Sequence, residues 1–178
     1  GSVELASPYF ASEKEFIRYN ATGHFYYPLG AGFVVKLNTS AGYVTSPREQ
    51  GVPIFARYFL GGIFDVRGFR LRTIGPRLPL ARALDPNASP ISNGANIGGN
   101  LMYYQNLELE IPIIEKVGVR GVIFTDAGNT WNTESLYCNA ARGQTQGGAG
   151  VYEVTDPCFT LSSLTKLRTS YGVGIRWF

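Results

Sequence analysis

Read two residues at a time, the chain separates into an apolar and a polar set along several stretches. In "LRTSYGVGIRW", Leu167, Thr169, Tyr171, Val173, Ile175 and Trp177 fall on one side; Arg168, Ser170, Gly172, Gly174 and Arg176 fall on the other. In "FIRYNATGHFYYPL", Ile17, Tyr19, Ala21, Phe25 and Tyr27 alternate with Arg18, Asn20, Thr22 and His24. "FVVKLNTSAGYV" sets Phe33, Val35, Leu37, Thr39, Ala41 and Tyr43 against Lys36, Asn38, Ser40 and Gly42. "LMYYQNLELEIPI" sets Leu107, Leu109 and Ile111 against Asn106, Glu108 and Glu110. A period of two belongs to a strand with unlike faces. The pattern predicts six strands, over about 15–28, 32–46, 52–62, 98–112, 117–131 and 166–178, with 3–6 as the end of a seventh.

These runs are long for a soluble strand, where about five or six residues is usual, and approach the roughly 9 to 11 that cross a bilayer at a tilt. Aromatic residues gather near the run ends, at Phe25-Tyr26-Tyr27, Tyr43, Tyr103-Tyr104 and Trp177-Phe178, where an interfacial girdle sits. The connections 28–32 and 112–118 are tight, and 71–96 and 132–163 are long. Short turns on one side and long loops on the other are the habit of an outer-membrane barrel. A soluble β-sandwich shares the alternation, but strand length, aromatic placement and loop asymmetry favour an all-β, antiparallel transmembrane barrel. Such barrels begin at about eight strands, so the chain is expected to be a partial barrel, about six strands of a larger one.

Composition points the same way. Charged residues are 16% of the chain, against about 25% typically, while Gly 22, Tyr 11 and Phe 11 are high, as suits a surface that need not face water. A net charge of +3 without a long basic run gives no case for nucleic acid. No run of about 18 apolar residues predicts a membrane helix, and Gly1-Ser2-Val3-Glu4 does not read as a signal peptide. His24 is the only histidine, and no nucleophile, base or carboxylate pair accompanies it, so neither catalytic residues nor enzymatic activity is expected. No metal site or cofactor is expected either. Cys138 and Cys158 lie in one polar, Gly-rich stretch. Two free thiols are one reading; a disulfide closing a loop of about 20 residues, contributing roughly 3 kcal/mol in an oxidising compartment, is favoured.

One stretch resists a purely structural reading. "FLGGIFDVRGFR" frames Arg67-Gly68 with aromatic residues and sets Gly61-Gly62 ahead of it. Followed by "RTIGP", it resembles the VRGF loop motif of the outer-membrane protein assembly and translocation superfamily, most nearly its BamA-like insertases. "IGGNLMYYQNLELEIP", "VRGVIFTDAGNTW" and "LRTSYGVGIRW" resemble, in the same order, the strands that follow that loop.

The resemblance implies that residues 1–178 are the C-terminal portion of an outer-membrane β-barrel domain, without the periplasmic repeats, the first barrel strands and the last two. It implies a loop folded into the lumen, with Arg67 meeting Glu108 and Asp126 as a latch, Gly68 allowing close approach, Phe69 wedging into the wall, and Gly61 and Gly62 as the loop hinge. Glu108 lies on the polar face of its strand, which independently points it inward. The implied activity is folding and insertion of β-barrel proteins in the bacterial outer membrane. Its implied partners are the lipid bilayer, unfolded barrel clients and accessory lipoproteins. A TamA-like or two-partner-secretion translocator, or a passive channel with a plugging loop, are the alternatives.

Overall fold

The computed structural model describes residues 1–7, 15–47, 51–78, 95–134 and 159–177. Alternation makes long strands, and tight turns join two pairs of them. β1 (Ser2–Ala6) pairs with β2 (Phe16–Gly30), and β2 turns into β3 (Phe33–Thr45). That turn needs left-handed backbone at both central residues, as two-residue hairpins do, and Ala31 (φ 49°) and Gly32 (φ 79°) supply it. β4 (Arg77–Leu78) and β5 (Ala95–Asn96) form a separate two-residue ladder. β6 (Leu101–Ile114) reaches β7 (Val119–Trp131) through a 3-10 turn, and β8 (Arg168–Trp177) lies beyond β7.

The order β1-β2-β3-β6-β7-β8 makes one six-stranded antiparallel sheet, with β1 and β8 as its edges. The tight turns, 31–32 and 115–118, share one end of the sheet; the chain between β1 and β2, β3 and β6, and β7 and β8 runs at the other. On the outward face Phe25, Tyr27, Leu107, Ile123, Tyr171, Val173, Ile175 and Trp177 are exposed, an apolar surface suited to lipid. The inward face carries Asn106, Glu108, Glu110 and Asp126, all buried. Residues 65–67 of the chain between β3 and β6 cover Asn106, Glu108 and Asp126, whereas Glu110 lies among Lys36, Arg120 and Arg176 of the wall itself.

One predicted strand is absent. Residues 52–62 make no strand of the sheet; β3 pairs directly with β6, from Val34↔Glu110 to Tyr43↔Leu101. Pro53, which has no N–H to give a ladder, precedes a 3-10 turn over Ile54–Ala56. Only isolated bridges follow, Tyr58↔Gly99 and Leu60↔Ile74. The left-handed Gly61 (φ 108°) and Gly62 (φ 115°) then turn the chain. The apolar residues that imitate a strand here instead pack on the inner face. Val52 and Ala56 join Val44, with Phe16 and Tyr58 against them. Leu60, Val66 and Ile74 form a second cluster beside Phe69, Met102 and Tyr104. The wall has six strands because residues 2–6 form a full one, and the long connection therefore runs from 46 to 100 rather than from 71 to 96.

Candidate functional site: the loop on the inner wall

Cross-strand register fixes which inward side chains stand together, since residues directly opposite share a face. Asn38, Asn106, Asp126 and Ser170 form one row, and Lys36, Glu108, Phe124 and Gly172 the next. Glu110 lies one row further toward the tight turns, opposite Val34 and Val122, followed by Pro112, Arg120 and Arg176.

Arg67 reaches this grid from the loop. Its Nε donates to Asp126 Oδ2 at 2.7 Å and its Nη2 to Asp126 Oδ1 at 2.6 Å, a bidentate pair. Nη1 donates to Glu108 Oε1 at 2.6 Å, and the Arg67 backbone N–H adds a further bond to Asp126 Oδ2 at 3.0 Å. The guanidinium lies over the Phe124 ring, 3.6 Å from its centroid. A planar fork with five donors suits two carboxylates and an aromatic face at once. Hydrogen bonding to Asp126, above all, raises the Arg67 pKa further above its ordinary value. Asp126 is fully buried, so removing its cation strands a charge, at about 3–5 kcal/mol.

The neighbouring loop residues seat the arginine. The Asp65 carbonyl accepts from Asn106 Nδ2 at 2.5 Å, and burial pushes the Asp65 carboxyl above the usual range, opposed by the Gly61 N–H. Val66 is buried against β6 and β7. At Gly128 a Cβ would come within 2.7 Å of the Tyr104 Cβ and 3.0 Å of a Val66 methyl, so the Asp-Ala-Gly-Asn block is where the wall admits the loop. Gly68 is left-handed (φ 84°), and a Cβ there would touch the Ser170 Cβ at 3.5 Å. Phe69 packs beside Leu60, Val66 and Ile74. At Gly61 a Cβ would fall 2.5 Å from the Arg70 carbonyl.

The cluster is larger than the three residues named from the sequence. Arg176 on β8 pairs with Glu108 at 2.9 Å and with Glu110 at 2.8 Å. Glu110 also holds Lys36 at 2.6 Å and Arg120 at 3.4 Å. Glu108 therefore bridges the loop cation to β8, and Glu110 ties β3, β7 and β8 together. Lys36, Glu108, Glu110 and Arg176 sit on polar strand faces in the sequence, but only the register says which ones meet. Among the described residues no group of His, Cys, Asp or Glu could hold a metal ion. Cys138 and Cys158 lie outside the described residues.

Fold and site together define a wall of a transmembrane β-barrel with a long loop folded onto its inner face. The Omp85 superfamily domain matches residues 1–178, and the chain belongs to that superfamily. It is 28% identical over 185 residues to the outer membrane protein assembly factor BamA of Neisseria meningitidis serogroup B, covering 99% of this chain and 21% of that protein. It is 28% identical over 125 residues to BamA of Nitratidesulfovibrio vulgaris, covering 70% of this chain and 14% of that one. The crystal structure of Haemophilus ducreyi BamA lacking POTRA domains 1-3 superposes with a TM-score of 0.71 at 27% identity, over 98% of this chain and 31% of that one. The chain thus spans a minor part of the relatives it matches, and its place is the bacterial outer membrane.

Proposed function

We propose that this barrel wall belongs to an assembly factor that folds and inserts β-barrel proteins into the outer membrane, with unfolded barrels as clients and lipoproteins as accessory partners. In this reading Arg67, Glu108 and Asp126 are a latch. The observation that carries it is the four-bond seat of Arg67 on Asp126 and Glu108, together with the similarity to proteins named as assembly factors. The seat joins the loop to β6 and β7 at mid-wall, and through Glu108 to Arg176 of β8. A barrel that receives clients must deform somewhere, and a loop braced across three strands keeps this part of the wall in register while it does.

The test is depletion of the full-length protein in its own cells, followed by quantification of folded outer-membrane barrels as a class. A general fall, restored by the wild-type gene and not by Arg67→Ala, is the expected result. Loss of one exported protein with other barrels unchanged favours the translocator reading instead. Unchanged barrels throughout contradict the proposal.

A further inference from the structure

The Arg67 contacts lie at mid-wall, but the loop is also held nearer its start by side chains that share nothing with them. Arg57 is 5% exposed. Its Nη2 pairs with Glu134, just beyond β7. Nη1 donates to Asn132 Oδ1 at 3.1 Å and to the Gly98 carbonyl at 3.2 Å, while Nε donates to the Val52 carbonyl at 3.1 Å. Glu134 uses its other oxygen to accept from the Val52 N–H at 2.8 Å. Asn132, itself buried, donates to the Glu134 carbonyl at 3.0 Å. Asn100 then fixes this end of β7, exchanging bonds of 2.7 Å with Thr133 in both directions.

The opposite flank of the same stem is seated on β2 and β3. Arg18 donates to the Ala56 carbonyl at 2.6 Å and stacks on Phe16 and Tyr58. Tyr58 donates to Asn20 Oδ1 at 2.7 Å. Its ring occupies the space over Gly42, where a Cβ would lie 2.6 Å from it. The stem, residues 52–58, thus reaches from β2 and β3 to the end of β7, at the end of the wall where the long connections run.

We infer that Arg57 and Glu134 form a second lock, which holds the loop stem as a strap across that end of the barrel independently of the Arg67 seat. The loop then has two anchors on either side of the Gly61-Gly62 turn. The tip can leave Asp126 and Glu108 while the stem stays closed over the wall. This holds whatever the barrel assembles.

The experiment uses the full-length protein in its own outer membrane. Ala56, fully buried in the stem, is changed to cysteine (Ala56→Cys) and exposed to a membrane-impermeant maleimide. Labelled peptides are mapped by mass, which separates this site from Cys138 and Cys158. Heat-modifiable gel migration reports barrel folding in each variant. Glu134→Gln keeps the side chain's shape but leaves one acceptor for two donors, so it should raise labelling by about tenfold or more. Arg67→Ala should leave Ala56→Cys shielded. Arg57→Ala should raise labelling in the same way; should it fail to fold, Glu134→Gln carries the test alone. Shielding that persists in Glu134→Gln overturns the inference. Equal exposure in Arg67→Ala overturns it too, because the stem is then held only through the tip.

Discussion

Asp126 shows how much one side chain determines here. It is fully buried and accepts from three donors of a single loop residue, so its charge is tolerable only while Arg67 is in place. Arg67→Lys keeps the charge but loses the fork and the stacking on Phe124. We expect it to release the loop nearly as fully as Arg67→Ala, at a cost of about 2–3 kcal/mol, read as protease sensitivity of the loop in folded barrels. Asp65 works in the opposite sense. Burial raises its carboxyl pKa in the folded loop, so its contribution is fully present below the unfolded-state pKa and is lost as pH rises through the folded-state value. Asp65→Asn should therefore protect the loop better than wild type at neutral pH, with the gap closing as pH falls below the ordinary carboxylate range. A gap that widens on acidification contradicts this assignment. Of the residues in the cluster, Arg67, Glu108 and Asp126 were legible by family likeness, and Glu108 also by strand parity. Lys36 and Arg176 were legible only as polar-face residues, and Arg120 not at all, because their partners lie on other strands.

At the scale of elements, period two identified β2, β3, β6, β7 and β8 because each has one face for lipid and one for the lumen. The same signal misled over 52–62. There Val52, Ala56 and Leu60 are buried by lying on the wall rather than by belonging to it, and an alternating apolar run looks alike in both cases. Pro53 and the paired glycines were the contrary evidence. The Arg57–Glu134 pair was invisible for a simpler reason: its members are 77 positions apart, and no local pattern links them. The contact of loop with strand is close enough to be probed at one atom. Gly128→Ala places a methyl against Tyr104 and Val66, and overpacking of this kind costs about 1–3 kcal/mol. We expect a protease-sensitive loop on a barrel that still shows heat-modifiable migration. A loop as resistant as wild type would mean that the wall and loop give way there at little cost.

At the scale of the molecule, the chain gives one wall of a larger barrel, apolar outside and charged inside, with a loop held against its inner face through Arg57 and Arg67. The outward face and the loop asymmetry were readable from composition and spacing, whereas activity was not, because the chain matches only 21% and 14% of the length of the two BamA relatives. The most direct measurement is therefore made on the whole protein, reconstituted in liposomes with the accessory lipoproteins that the proposed function implies, following the folding of a denatured β-barrel client. The account predicts faster folding than in empty liposomes, and loss of most of that acceleration with Arg67→Ala although the barrel itself remains folded. Client folding no faster than in empty liposomes, or acceleration unchanged by Arg67→Ala, would contradict it.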